Sequence, residues 1–343
     1  MSLFVSNRIT FTGLILIFIV CTGYIALHFG SGQALVGIRN SLIAEIGSDE
    51  DFNWTPRNKP ESFKQEMSPP PEEMQQAITE VLRNVDSDTD FQVALALSRH
   101  LSDSGEKKKG GIRTNTADAY RIIRSEGRGY CADYSQVMNG LAYIADIPVR
   151  EWGMSFDAFT GKGHAFNEIY SERYGKWIFL DSFYSFYVID PETQIPLSAL
   201  EFQEYLGSNR PDESVIIVPV VPERFRFGTA ERALRYYRKG ADQFYLYMGN
   251  DVFTDDSDTA FPAAGDVWPA LGQSLAIIEG THPEVRIVPT RTNGPEIAKL
   301  FANRNIFFAL IAIDFLALLL LVLILYKHRS TRQQIDSDVR GGG

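Results

Sequence analysis

Two apolar runs constrain this chain more than any other feature: TFTGLILIFIVCTGYIALHF at residues 10–29 and IFFALIAIDFLALLLLVLILY at residues 306–326. Each is about 20 residues long, the length that crosses roughly 30 Å of hydrocarbon as a helix. The first is expected to be an uncleaved anchor, because its apolar core exceeds the ~7–15 residues of a secretory signal and no small-x-small site follows it. With two spans, both termini share a side. Arg8 precedes the first span, and Lys327, Arg329 and Arg332 follow the second. The positive-inside tendency puts these ends in the cytoplasm. The expectation is a two-span protein of the cell membrane with residues 30–305 outside the cytoplasm.

Asp314 lies inside the second run, about 12 Å from its outer end at ~1.5 Å per residue. An ionisable group at that depth costs at least ~2.5 kcal/mol unless it is paired. Thr22 of the first run lies at similar depth and offers a hydroxyl; the other expected partner is a polar group on a separate membrane protein. Between the spans, a chain of 343 residues leaves room for one large or two modest domains. The net charge is −10, with no basic block outside the C-terminal tail. Nucleic-acid binding is therefore not expected, since it needs a basic footprint.

The stretch DFNWTPRNKPESFKQEMSPP (51–70) reads as a linker, rich in proline and polar residues. Helices are expected over 71–85, 91–101 and 116–126, the last closed by Gly127. Tyr134, Val137, Met138, Leu141, Ala142 and Ala145 follow the spacing of an amphipathic helix with one buried face, ended near Asp146 by Pro148. Strands are expected at 149–154, 165–170, 177–180 and 183–189, with a turn at Glu172–Lys176 between the second and third. Further on, 215–221 reads as a strand, 229–247 as a helix, and 275–278 and 285–288 as strands. A helix followed by an antiparallel meander makes the fold class α+β.

Only two cysteines occur, and Cys21 lies within the first apolar run. Cys131 is thus the single thiol of the region between the spans, and it opens the amphipathic helix after a glycine-rich turn. Free N–H groups and the helix dipole stabilise an anion there, which lowers a thiol pKa. A thiolate nucleophile still needs a base. His164 opens the strand HAFNEIY and Asp181 closes the strand WIFLD, so a hairpin turning near 172–174 places them nearly opposite each other. The Asp can then hold one ring nitrogen while the other faces the thiol, the logic of nucleophile, base and orienter. The main-chain N–H of Cys131 is one expected oxyanion donor; Gln136 and Asn167 are polar candidates for the other. Asp86, Asp88 and Asp90 begin a D-x-D-x-D, but Phe91 stands where a calcium loop needs glycine. The acidic group Asn250, Asp251, Asp255, Asp256 and Asp258 and the lysines 107–109 read as solvated loops. No metal and no cofactor is expected.

GRGYCADYSQVMNGLAYIADIPVR, then GKGHAFNEIY, then GKWIFLDSFYSFY resembles the transglutaminase-like superfamily: Gly-x-Cys opening a helix, an Ile-Pro-Val-Arg, a His-Ala on one strand and an aromatic-led strand ending in Asp. The resemblance covers about residues 112–190. It implies a papain-like core, the Cys-bearing helix packed on an antiparallel sheet, and a catalytic Cys131-His164-Asp181 triad. Gly129-Tyr130-Cys131-Ala132 departs from the Gly-Gln-Cys-Trp of animal transglutaminases, which points away from glutamine–lysine crosslinking. The expected organisation is an anchor (1–30), a juxtamembrane linker (31–70), the core (71–190), a C-terminal extension (191–305), a second membrane helix (306–326) and a basic cytoplasmic tail (327–343). The expected function is a membrane-anchored cysteine enzyme, a protease, amidase or acyl transferase, acting on a protein or peptide. The alternative is a non-catalytic scaffold subunit of a cell-envelope assembly, for example one making or exporting polysaccharide, that binds a membrane partner through its spans.

Overall fold

The computed structural model describes residues 2–341, apart from 86–88, 104–109, 113, 209 and, between 254 and 282, all but six scattered positions. In chain order the elements are α1 (Ser2–Phe29), α2 (Gly32–Ile43), β1 (Ala44–Ile46), α3 (Asp49–Phe52), α4 (Glu72–Arg83), α5 (Asp90–Ser102), α6 (Thr116–Glu126), α7 (Cys131–Ile144), β2 (Val149–Ser155), β3 (Gly163–Ser171), β4 (Lys176–Leu180), β5 (Phe186–Ile189), α8 (Ala199–Gly207), β6 (Ile216–Pro219), α9 (Ala230–Arg238), β7 (Phe244–Tyr247), β8 (Val285–Ile287) and α10 (Gly294–Gly341). The class is α+β. A six-stranded, mostly antiparallel sheet runs β1-β8-β7-β2-β3-β4, with β1 and β8 its parallel pair, and β5-β6 form a separate two-stranded sheet.

Each helix forms where the local chemistry dictates. Asn115 caps α6 by accepting from Asp118 N–H at 2.9 Å, and Gly127 ends it in the left-handed conformation at φ 62°. In α7, Tyr134, Val137, Met138, Leu141 and Ala142 are wholly buried, as their spacing predicts. They pack with Met74, Ile78, Phe91, Leu97 and Ile123 from the other helices against Val149, Ile169 and Ile178 of the sheet. The strands alternate, so Trp152, Met154, Phe166 and Phe179 point to the opposite face and meet Phe202 of α8 and Tyr237 of α9.

Several expectations are corrected by the packing. Residues 51–70 are not an extended linker: Phe52, Trp54 and Phe63 lie in the core, and the Trp54 carbonyl accepts from Trp177 Nε1 at 2.6 Å. Residues 30–50 supply α2 and the edge strand β1. The helix expected over 229–247 stops at Arg238. Gly240 then passes close over β2, where a Cβ would meet Met154 Cγ at 2.5 Å, and the alternating Phe-Tyr-Leu-Tyr forms β7 between β8 and β2. The region after residue 190 therefore contributes a central strand of the sheet. Residues 183–185 are a turn, so the strand expected at 183–189 begins only at Phe186. Leu275 and Ile278, the ends of another expected strand, are helical, and the residues between them lie outside the described residues. So do Lys107–Lys109, Asp86, Asp88, Asp255, Asp256 and Asp258.

Two helices are long and apolar enough to cross a membrane, over Ile9–Phe29 and Gly294–Ser330, with mean hydropathies of 2.2 and 3.1. They support membrane association. Phe29 and Phe307 meet edge-on at 5.2 Å, and Thr22 Oγ1 donates to Asp314 Oδ2 at 2.9 Å, so the two run side by side and Asp314 finds a partner within the chain. Ile297 and Leu300, at the start of α10, are buried against β8.

Candidate active site

Cys131 is the first residue of α7. Gly129 reaches it through a φ of +145°, a region other residues rarely enter, and a Cβ there would lie 3.1 Å from the Tyr134 ring. Asp133 accepts from Tyr130 N–H at 2.6 Å and so fixes the helix start. Tyr130 itself is exposed beside the thiol.

His164 and Asp181 come from the sheet. The β3–β4 pairing centres the turn where expected, but its register, Asn167 with Leu180, sets Asp181 opposite Phe166. His164 is thus a diagonal neighbour of Asp181 rather than its direct partner. Both side chains share a face, and His164 Nε2 lies 2.7 Å from Asp181 Oδ2. The β3–β4 ladder ends at Leu180, after which the chain turns back through Asp181 into β5. The N-terminus of α7 meets β3 beyond that point: the Cys131 sulfur is stabilised by His164 and by the main-chain N–H of Ala165.

The electrostatics follow from this geometry. Burial pushes the Cys131 thiol up, but His164 and the Ala165 N–H outweigh it and leave the pKa below the ordinary value. Burial disfavours the imidazolium, yet the carboxylate of Asp181 and the sulfur of Cys131 raise His164 to about 10. These directions favour a thiolate–imidazolium pair. With Nε2 on Asp181, His164 Nδ1 is buried and has no geometric hydrogen bond among the described residues, so the Cys131 sulfur is the group that bears on it.

Sequence reasoning missed the groups that hold Asp181. Its Oδ2 also accepts the Tyr237 hydroxyl at 2.5 Å, and its Oδ1 accepts Tyr184 N–H at 2.8 Å. Phe183, Tyr184, Tyr236 and Tyr237 ring the imidazole at 4.9–6.1 Å between centroids. No motif announces Tyr237; the available signal was its place on the apolar stripe of α9, beside Ala233 and Leu234. Gln136 and Asn167 are not brought to the thiol. Gln136 Nε2 donates to Thr116 Oγ1 at 2.9 Å, and Asn167 Nδ2 is spent on Ser135 O and Asn139 Oδ1 at 3.1 and 2.8 Å. Both tie α7 to its neighbours. Asn250 likewise braces the fold, accepting from Glu66 N–H and donating to the Val149 carbonyl at 3.0 Å each. Among the described residues no cluster of His, Cys, Asp or Glu suits a metal ion.

No curated protein and no solved structure matches this chain. A family model does, over the stretch that holds α7 and the β3–β4 hairpin, and it supports a papain-like fold. Residues 75–182, which include Cys131, His164 and Asp181, are a domain of the transglutaminase-like superfamily.

Proposed function

We propose that this chain is a membrane-anchored cysteine enzyme that cleaves or transfers acyl groups from amides or related bonds of a protein or peptide. The observation that carries the reading is the 2.7 Å contact of His164 Nε2 with Asp181 Oδ2, which leaves Nδ1 unpartnered beside a thiol of lowered pKa. The Cys131 thiolate adds to the acyl carbon. His164 gives its proton to the departing amine as the C–N bond breaks and a thioester forms. Water or a second amine, losing a proton to His164, then attacks the thioester and regenerates the thiolate, giving an acid or a new amide. Asp181 holds the imidazole throughout, and Tyr237 and Tyr184 hold Asp181. The Cys131 N–H, at the start of α7, is the donor this reading assigns to the developing oxyanion.

The placement that goes with this reading has both termini in the cytoplasm and residues 30–305 outside it, with the site held close to the bilayer because β8 packs directly on the start of α10. The test is alkylation of Cys131 by iodoacetamide at neutral pH in a Cys21→Ala background. His164→Ala is expected to slow it at least tenfold; an unchanged rate overturns the activated thiol. Mass spectrometry of Cys131 in the Cys21→Ala protein with His164 intact, acid-quenched during exposure to membrane-surface proteins, should then reveal an acyl adduct that is absent from Cys131→Ala.

A further inference from the structure

Arg226 lies in the turn between β6 and α9, flanked by Phe225 and Phe227. Its guanidinium carbon sits 3.6 Å from the centroid of the Phe183 ring and 5.2 Å from that of Tyr134. Tyr134 is one turn along α7 from Cys131, and the Phe183 ring is 6.1 Å from His164. Arg226 therefore stands where the two halves of the candidate site meet. Its Nε and Nη2 are buried, and neither has a hydrogen-bond partner among the described residues. Asp181, whose charge bears on it, is already committed to His164, Tyr237 and the Tyr184 N–H.

A desolvated guanidinium edge with no acceptor is costly. Leaving even one buried donor unmet sacrifices about 1–3 kcal/mol, and more when the group is charged. Stacking on Phe183 and Tyr134 offsets part of this by cation–π attraction, and the Tyr134 hydroxyl bears on the guanidinium without making a hydrogen bond to Nε or Nη2. The Nε–Nη2 edge is the fork that fits a planar carboxylate with two parallel hydrogen bonds. The turn that carries it closes on itself, Gly228 N–H to Phe225 O at 3.1 Å and Phe225 N–H to Pro222 O at 3.3 Å, and is otherwise held by ring contacts such as Phe227 on Tyr184 at 4.0 Å.

We infer that Arg226 is a substrate-recognition residue that binds a carboxylate carried by the acyl substrate close to the bond presented to Cys131. The inference rests on Cys131 being the nucleophile and deepens that reading by naming the substrate class: acyl donors with a carboxylate near the scissile bond, such as an acidic side chain or a free C-terminus.

Two alkylating agents of nearly the same shape test it on the full chain in detergent with Cys21→Ala. Iodoacetate carries the carboxylate; iodoacetamide replaces it with a neutral amide. The ratio of their rate constants at Cys131 is expected to fall about tenfold in Arg226→Met, the loss of one charge-assisted pair. Arg226→Lys keeps the charge without the planar fork, should retain an intermediate ratio, and carries the test if Arg226→Met does not fold. A ratio equal to that of the Arg226 protein overturns the inference, whether both rates hold or both fall together, since a packing or thiolate-stabilising role acts alike on the two reagents. Failure of the underlying reading is seen separately, as an iodoacetamide rate indifferent to His164→Ala.

Discussion

The Tyr237 hydroxyl donates to the same Asp181 oxygen that holds His164, at 2.5 and 2.7 Å respectively. The contact joins α9, from the C-terminal third of the chain, to the β3–β4 hairpin, so Asp181 is fixed by a segment beyond the 75–182 match. Tyr237→Phe keeps the ring that packs among Phe166, Phe179 and Phe202 and removes one hydrogen bond to a buried charge. It is expected to cost about 1.5–3 kcal/mol of stability, read as a fall in thermal unfolding temperature. Asp181 keeps the Tyr184 N–H and His164, so Cys131 alkylation should slow less than in Asp181→Ala. Equal slowing in the two variants would contradict the positioning role.

The pH profile of alkylation separates an ion pair from an ordinary thiol. The folded pKa of His164, about 10, lies above its unfolded value of ~6.5. Its stabilisation is therefore fully present below about 6.5 and is lost as pH rises through 10. Cys131 runs the other way: with a lowered pKa it contributes above its unfolded value, and loses that contribution as pH falls through the folded one. The two slopes oppose each other, so global stability hides the pair and reactivity reveals it. Between pH 7 and 9 the alkylation rate should rise less steeply than that of an unassisted thiol of pKa ~8.5, which gains roughly twentyfold. His164→Ala should restore the steep profile.

Glu151 lies on the α7 face of β2 and accepts from Asn139 Nδ2 at 2.9 Å. Burial raises its pKa to about 7, against the smaller opposing pull of hydrogen bonds from Asn139 and Ser135. The sign follows from linkage. Between its unfolded value near 4.5 and 7 the folded state binds more protons, so stability falls as pH rises through that window. Glu151→Gln keeps an acceptor for Asn139 and removes the charge. Relative to the unsubstituted protein it should gain about 1–3 kcal/mol on going from pH 5 to pH 8, measured by unfolding at the two pH values. A pH-independent difference would show that Glu151 stays ionised throughout.

Legibility in the sequence divided along the range of the interactions. The α7 face could be read from one helical period, and the hairpin turn from Glu172–Lys176 between two strand-like runs, because both are local. The direct pairing of those two residues could not, since register was settled by how Trp177 and Phe179 fit the aromatic face, and it came out offset by two. Phe52, Trp54 and Phe63 were hidden among prolines and polar residues, which mark irregular backbone but do not say whether it is buried. β7 was misread because Arg232–Arg238 continue a helical pattern up to it; the stop is Gly240, needed by the close approach of β2, a tertiary fact. Tyr237 and Arg226 reach the site from more than 40 residues beyond Asp181 and carry no motif.

The Ile-Pro-Val-Arg motif ends in a residue whose role is structural. Arg150 and Glu168 are both buried, Nη2 of the one 2.7 Å from Oε2 of the other. Arg150 Nη1 also donates to the Phe52 carbonyl at 2.7 Å, and its guanidinium is 4.3, 5.1 and 5.5 Å from the rings of Trp177, Trp54 and Trp152. Glu168 accepts further bonds from Trp152 Nε1 and, at 2.6 Å, from Ala199 N–H at the start of α8. One ion pair thus ties the 51–63 segment, the sheet and α8 together. Glu168→Ala leaves a buried cation uncompensated and is expected to cost about 3–5 kcal/mol. Arg150→Met strands the carboxylate and should cost a similar amount. The double variant Arg150→Met with Glu168→Met removes both charges and is expected to be more stable than either single variant in chemical unfolding, because desolvation of two ions offsets most of their mutual attraction. Additive losses in the double variant would instead mean that the two side chains act independently, the Arg through its indole contacts and the Glu through the α8 N–H.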